Sequence, residues 1–182
     1  MLSPEIYNFF STILKNTSGN HLEIGIFDGT GIRKLAEEFP DKKFYTIDPF
    51  IEDGNTTSAS HVSKFEIMGS IKDWALANLN LPNIKHFMLK SIDFNNNFSD
   101  DQLDELMITS ISIDGSHWYD DVKADINISK RIFRNKSGLI HFHDCVMIPD
   151  VAKAYKEFIE ETGFKTDIIG TDSAVVYIGI LA

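Results

Sequence analysis

Short apolar runs alternate with amphipathic stretches along most of this 182-residue chain. Five runs have the length and side-chain composition of buried strands, and they lie at 21–27, 43–49, 84–90, 108–114 and 138–144. Apolar residues at helical spacing predict helices at 3–15, 30–38, 62–79, 99–105, 118–134 and 149–161. Two last runs, 164–171 and 174–181, flank Asp172 and Ser173 and predict a hairpin.

The order of these elements predicts the fold class. Strands that alternate with helices form a parallel sheet with helices on both faces, and a closing hairpin adds an antiparallel strand at one side. The sequence therefore predicts an α/β fold around a mostly parallel seven-stranded sheet, in one domain spanning 1–182. We expect residues 1–18 to form an N-terminal helix and 19–182 to form the core. The least regular stretch, 52–61, is either a mobile lid or surface decoration.

Composition narrows the cellular setting and the class of partner. A net charge of −10 with scattered lysines argues against a nucleic-acid partner, because a phosphate-tracking surface needs a basic stripe. The single cysteine, Cys145, excludes an intramolecular disulfide and makes the reducing cytoplasm the expected compartment. Residues 1–18 lack a signal-peptide pattern, and the longest apolar run, 174–182, is too short to span a membrane. We therefore expect a soluble cytoplasmic protein without a membrane partner.

The segment HLEIGIFDGTG, residues 21–31, joins the first strand to the first helix of the core. It carries Glu23 on the strand, followed by Gly25, Gly29 and Gly31. Glycine can adopt positive φ, so such a turn can bring backbone N–H groups against a ligand in front of a helix N-terminus. The segment predicts a pocket for a nucleotide-type ligand, and an ordinary turn between strand and helix is the alternative.

The glycine spacing differs from that of two common phosphate-binding motifs. The dinucleotide fingerprint has glycine at its first, third and sixth places, where this chain has Gly25, Phe27 and Thr30. The Gly-Lys-Ser/Thr ending of the phosphate loop is absent as well. A nicotinamide dehydrogenase fits the fold class, but this spacing disfavours it.

Polar residues follow the second and third strands, at the edge of a parallel sheet where ligands bind. Asp48 ends the second strand, and its carboxylate can accept hydrogen bonds from both hydroxyls of a ribose. A role as a turn or cap residue is the alternative, since Asp48 precedes a proline. Ser91 follows the third strand, where it either contacts an adenine edge or caps a helix.

The fourth and fifth strands end in Asp114 and Asp144. Neighbouring strands lie about 4.8 Å apart, so the two carboxylates repel each other unless a positive charge lies between them. A divalent cation meets that need: oxygen ligands favour magnesium, whereas a His143 ligand favours manganese, iron or zinc. The alternative is that both acids cap the helices that follow them.

Histidines and aromatic residues surround this pair. His117 is the candidate general base, because the pKa of histidine lies near neutrality. His141 is expected to be a core histidine with its hydrogen bonds satisfied, on the same strand face as His143. Trp118 and Tyr119 either stack on a substrate or pack against the sheet, and packing is the favoured role at a helix start.

With these residues assembled, the chain resembles the class I S-adenosylmethionine-dependent methyltransferases, which have a Rossmann-like fold. LEIGIFDGTG is similar to their first motif, and TIDP is similar to their second. The segments IDGSHWYDDVKADI and GLIHFHDC resemble the branch that includes macrocin-type O-methyltransferases and cephalosporin hydroxylase-like proteins.

This resemblance implies roles for individual residues. The methionine part of the cofactor would be bound by Glu23, Gly25, Gly29 and Gly31. Asp48 would bind the ribose and Ser91 would lie near the adenine, while Asp114 and Asp144 fall where the family has metal-binding acids. His143 stands where some members have a second adjacent acid. Ser116 stands where members often have an acid, so proton abstraction would pass to His117.

The resulting functional prediction is O-methylation of a small hydroxylated molecule, such as a sugar, a polyol or a natural product. S-adenosylmethionine is the expected cofactor, and magnesium is the expected metal. A metal-binding hydroxylase-like protein and a cofactor-binding module without catalysis are the alternatives. The apolar final strand suits either the seam of a homo-oligomer or an ordinary sheet edge, so the sequence leaves the oligomeric state open.

Overall fold

The computed structural model describes residues 4–50 and 71–179, and within them a seven-stranded sheet forms the centre of the fold. The strands are β1 (Asn20–Ile24), β2 (Phe44–Ile47), β3 (Ile84–Phe87), β4 (Ile108–Ile113), β5 (Gly138–Phe142), β6 (Lys165–Ile169) and β7 (Ser173–Ile178). The helices are α1 (Pro4–Asn16), α2 (Thr30–Glu38), α3 (Ile71–Asn78), α4 (Ser91–Asn97), α5 (Asp100–Glu105), α6 (Tyr119–Ile132) and α7 (Pro149–Thr162).

The strand order is β3-β2-β1-β4-β5-β7-β6. Strands β1 to β5 pair in parallel, whereas β7 runs antiparallel to both β5 and β6. The order reverses between β1 and β4, which is where an open wound sheet has its ligand crevice. The predicted Rossmann-like α/β fold, with a mostly parallel seven-stranded sheet and a closing antiparallel hairpin, is confirmed.

Two apolar clusters cover the two faces of the sheet, so its central strands are buried on both sides. On β1, Leu22 and Ile24 belong to the cluster that also contains Ile126 of α6 and Phe158 of α7. The preceding residue, His21, packs edge to face on Phe10 of α1, with ring centroids 4.7 Å apart. Strand residues thus alternate between the two helical layers, and the strand ends are free to carry polar groups.

The third strand is shorter than predicted, and a helix that the sequence did not predict follows it. β3 stops at Phe87 rather than at residue 90, and α4 begins at Ser91 after the extended Lys90. Phe94 on α4 is fully buried and stacks on Phe98, with ring centroids 4.2 Å apart. Burial of these aromatic rings stabilises a short helix whose asparagine-rich sequence has little helical preference of its own.

The lid or surface loop predicted at 52–61 lies outside the described residues, and so does the first half of the helix predicted at 62–79. α3 confirms the second half of that helix. Within the part of the chain that the structure describes, none of the helices combines the length and apolar character needed to cross a bilayer.

Candidate functional site

The glycine turn after β1 is in direct contact with the end of β4. Gly25 has φ +80°, and a Cβ atom there would lie 2.3 Å from the carbonyl oxygen of Asp114 and from the Cα atom of Gly115. Only glycine fits such a position, on grounds of both conformation and space. The Asp114 N–H donates to the carbonyl of Ile24 at 2.8 Å, so the turn and the strand end hold each other in place.

The same turn leads directly into α2. Gly29 has φ +71° and is the N-cap residue of this helix, and Gly31 is its second residue. The Thr30 N–H donates to the side chain of the buried Asp28 at 3.0 Å, and Phe27 adopts a φ of 47°, which non-glycine residues rarely do. The turn is therefore a tightly specified structure, with backbone strain of the kind found at ligand sites.

Asp48 connects the end of β2 to the glycine turn. One of its carboxylate oxygens accepts the Ile26 N–H at 3.1 Å, and the other accepts the Phe50 N–H at 2.8 Å. The turn role considered for this residue is thus observed. Each carboxylate oxygen has two acceptor sites, so both oxygens keep the capacity to bind ribose hydroxyls as well. The ribose role stays a prediction.

Glu23 is the most unusual acid of this edge. It is only 6% exposed, and its Oε2 atom has no hydrogen-bond partner. Burial, followed by the negative charge of Asp114, raises the pKa of Glu23 to about 8. Burying an unpaired carboxyl group is costly, and a cationic ligand beside it would compensate that cost.

Ser91 occupies a different structural position from the one expected. It is the first residue of α4 and not the residue after a strand, because β3 ends at Phe87. Its side chain hydrogen-bonds Asp125, a buried carboxyl group on α6 that sequence analysis missed. An acid on the apolar face of a predicted helix was the signal that could have revealed Asp125. The proposed proximity of Ser91 to an adenine stays a prediction.

Asp125 gives the stability of this protein a predicted pH dependence. Burial raises its pKa to about 7 in the folded protein, against an ordinary value near 4 in the unfolded chain. The folded state therefore binds more protons between these values, so the free energy of unfolding falls by a few kcal/mol as the pH rises from about 4 to above 7. Urea unfolding at several pH values is expected to show this slope in the wild type.

The isosteric variant Asp125→Asn is expected to reduce that slope, because an amide does not titrate in this range. The slope that remains comes from Glu23, whose pKa burial also raises. The control variant, Asp120→Asn, changes an exposed acid at the start of the same helix and is expected to keep the wild-type slope. Equal slopes in Asp125→Asn and wild type would show that Asp125 does not carry the effect.

Asp114, His143 and Asp144 come together at the ends of β4 and β5. His143 Nδ1 lies 3.0 Å from Asp114 Oδ1 and 3.0 Å from Asp144 Oδ2, and all three residues are half-buried. Contacts with Asp114 first and Asp144 second raise the pKa of His143 to about 10. Contacts with His117 and His143 hold the pKa of Asp144 well below its usual range. A proton on His143 and a metal ion therefore compete for the same carboxylates.

The ligand atoms of this cluster fit a divalent cation. His143 Nδ1 is fully enclosed and has no hydrogen-bond partner of good geometry, although two carboxylate oxygens lie 3.0 Å away. Two adjacent ligands of an octahedral ion at 2.1 Å are themselves about 3.0 Å apart. The cluster also provides the mixture of carboxylate and imidazole donors that first-row metals accept.

His117 lies on the outer side of this cluster. Its Nε2 atom is 3.0 Å from Asp144 Oδ2, and this contact raises the pKa of His117 above its usual value. Ser116 donates to Asp121 at 2.6 Å, so it ties the loop to α6. The left-handed backbone of Asp144, with φ 56°, places the acid in a strained turn of the kind found at functional sites.

The two aromatic residues after His117 differ in environment. Trp118 is 58% exposed, so the favoured packing role is wrong for it, because α6 begins only at Tyr119 and Trp118 precedes the packed face. Packing is confirmed for Tyr119, which is partly buried against the core and whose hydroxyl donates to Glu157 at 2.5 Å.

His141 is buried, as predicted, but only one of its ring nitrogens has a partner. It is 0% exposed, its Nδ1 atom lies 2.9 Å from the Ser112 hydroxyl, and its Nε2 atom has no partner. Burial lowers the pKa of His141 to about 3, so it stays neutral.

Sequence analysis missed Asp172 as a member of the site. It lies in the turn between β6 and β7, and its Oδ2 atom is 3.8 Å from His143 Nε2. The turn reaches this position because β7 pairs with β5, with Ala174 opposite Phe142. A hairpin turn containing an acid was visible in the sequence, but its neighbour in the sheet was not.

Comparisons with known proteins show the family and the fold of this chain. A profile described as a methyltransferase domain matches residues 22–145, which is more than half of the chain and contains the glycine turn and the acidic cluster. No curated protein sequence matches the chain significantly.

Solved structures share the fold at low sequence identity. A Staphylococcus aureus protein assigned as a caffeoyl-CoA O-methyltransferase has a TM-score of 0.69 and 15% identity, covering 98% of this chain and 85% of its own. CalS11, a TDP-rhamnose 3′-O-methyltransferase of calicheamicin biosynthesis, has a TM-score of 0.64 and 11% identity, covering 96% of this chain and 78% of its own. The O-methyltransferase NovP has a TM-score of 0.59 and 14% identity, covering 92% of this chain and 75% of its own. At these identities the similarity concerns the fold.

The profile match and the fold agree with the class predicted from the glycine turn and the strand-end acids. The chain therefore belongs to the methyltransferase-domain family and is a class I S-adenosylmethionine-dependent methyltransferase.

Proposed function

We propose that this protein transfers the methyl group of S-adenosylmethionine to a hydroxyl oxygen of a small molecule, with assistance from a divalent cation. The observation that carries the proposal is the close packing of the glycine turn against the end of β4. A Cβ atom built on Gly25 would lie only 2.3 Å from the carbonyl oxygen of Asp114. This contact supports a nucleotide-type pocket beside a cluster of candidate cation ligands.

The cofactor fits the residues on its side of the edge. Gly25, Gly29 and Gly31 form the turn that would lie against the methionine part, and Asp48 would bind the ribose. The buried carboxyl group of Glu23, whose Oε2 atom has no hydrogen-bond partner, suits the positively charged groups of this cofactor. Ser91, whose side chain is held by Asp125, would border the adenine.

The cation would be held by Asp114, His143 and Asp144, and when bound it supplies positive charge that lowers the pKa of an acceptor hydroxyl. His117 is the proposed base. Because its Nε2 atom faces Asp144, its Nδ1 atom remains to accept the hydroxyl proton. Transfer forms the bond between the acceptor oxygen and the methyl carbon and breaks the carbon–sulfur bond. The bonding electron pair stays on sulfur, so S-adenosylhomocysteine is the second product.

The acceptor is proposed to carry hydroxyl groups that can approach this cluster, as sugars, polyols and hydroxylated natural products do. The name of CalS11 records a sugar nucleotide as its substrate, and those of NovP and the Staphylococcus aureus protein record O-methylation. A small-molecule acceptor is also consistent with the acidic character of the chain, which disfavours nucleic acid.

Methyl transfer from labelled S-adenosylmethionine to a panel of hydroxylated acceptors tests this function. We expect label on an acceptor oxygen, with one equivalent of S-adenosylhomocysteine formed for each methyl group transferred. The matched variant His117→Gln is expected to lower kcat by about a hundredfold, because it lacks the proton acceptor. Transfer to nitrogen or carbon only, or wild-type kcat in His117→Gln, would contradict the proposed chemistry.

A further inference from the structure

We propose that the cluster of Asp114, His143 and Asp144 selects divalent cations that accept an imidazole ligand, and that Asp172 positions His143 for this selection. The inference rests on the proposed function, because it names the class of ion that this function uses. It departs from the expectation of magnesium, which was based on the carboxylates alone.

One ring nitrogen of His143 faces the two carboxylates. His143 Nδ1 is enclosed, lacks a hydrogen-bond partner of good geometry, and lies at the same 3.0 Å distance from one oxygen of each acid. Nδ1 is therefore a candidate third ligand beside the two carboxylate oxygens. Magnesium takes oxygen ligands and gives up water reluctantly, whereas imidazole nitrogen suits iron, cobalt and zinc.

The opposite nitrogen of the same ring, Nε2, lies near a third carboxylate. A histidine that ligates a metal through Nδ1 carries its proton on Nε2, and a carboxylate near that proton fixes the orientation of the ring. Asp172 Oδ2 lies 3.8 Å from His143 Nε2, within reach of a small side-chain rotation.

Asp172 is itself held in place. Its other carboxylate oxygen accepts the Ser173 hydroxyl at 2.8 Å, and its carbonyl oxygen accepts the Val146 N–H at 3.4 Å. The hairpin turn is therefore tied to the loop that follows β5. His143 thus has acids near both ring nitrogens. The two at Nδ1 can share an ion with it, and the one at Nε2 can orient the ring.

Separate calorimetric titrations of Co²⁺ and Mg²⁺ into metal-free protein test the inference without any use of activity. We expect Co²⁺ to bind at least about a hundredfold more tightly than Mg²⁺. In His143→Ala this ratio is expected to fall by at least about tenfold, because the nitrogen ligand is lost while both carboxylates remain. The visible absorption of bound Co²⁺ is expected to change in the same variant.

Two further variants separate positioning from a general structural role. Asp172→Asn is expected to weaken Co²⁺ binding by about tenfold and to leave Mg²⁺ binding nearly unchanged, because only the imidazole ligand depends on Asp172. The control His86→Gln changes a histidine of β3 that contacts Thr46 and is expected to keep the wild-type ratio.

Equal affinities for the two ions, or equal losses for both ions in His143→Ala, would overturn the selectivity. Such a result would leave the proposed function standing if S-adenosylhomocysteine binds and labelled methyl groups are transferred in the presence of Mg²⁺. Binding of neither ion by folded protein would overturn the inference together with the cation part of the proposed function.

Discussion

Asp114→Asn is expected to lower methyl transfer by at least about a hundredfold and to weaken divalent-cation binding by a similar factor. Asp114 offers one of the two carboxylate oxygens that lie 3.0 Å from His143 Nδ1. An amide of the same size leaves the packing of this strand end intact but removes the negative charge that a cation needs. The measurements are kcat with labelled cofactor and calorimetric titration of the cation.

Cofactor binding by the same variant provides the internal control. Affinity for S-adenosylhomocysteine is expected to change only a few-fold, because the glycine turn contacts the backbone of Asp114, which this substitution leaves unchanged. Asp101→Asn, which alters an exposed acid of α5, is the matched control and should behave as wild type. Unchanged kcat in folded Asp114→Asn would rule out a role for this carboxylate in catalysis.

Gly25→Ala is expected to cost on the order of 3 to 5 kcal/mol in the free energy of unfolding. Part of this loss arises because alanine at φ +80° is strained by about 1–2 kcal/mol. The rest arises because the new methyl group would lie 2.3 Å from backbone atoms of Asp114 and Gly115, which must move apart. Urea unfolding measures the total.

Gly163→Ala separates these two contributions. Gly163 ends α7 at φ +66°, and a Cβ atom there would meet nothing within 4 Å. The control is therefore expected to lose only about 1–2 kcal/mol, which is the conformational part. Equal losses in the two variants would mean that the glycine turn and the β4 end are not tightly packed against each other.

The fold was predictable because its signals are local. Each buried strand is a short apolar run, and the helices between them repeat their apolar residues at helical spacing, so the alternation alone predicts a wound parallel sheet. The helix α4 was missed because its stability depends on the burial of Phe94 and Phe98 rather than on its own sequence. Packing partners distant in sequence are invisible to local patterns.

The site was predictable where a residue ends a strand of the parallel sheet. Asp48, Asp114 and His143 follow strands directly and Asp144 comes one residue later, and topology brings such positions to one edge. Asp172 and Asp125 could not be placed in this way. Asp172 reaches His143 only because β7 inserts beside β5, and the burial of Asp125 depends on how α6 packs beside α4.

Calorimetric titration of S-adenosylhomocysteine into the purified protein, with and without a divalent cation, tests most directly whether this sheet edge is a methyl-transfer site. The account predicts saturable binding of one molecule per chain, which Asp48→Asn weakens. No heat of binding in folded wild-type protein, under either condition, would contradict it.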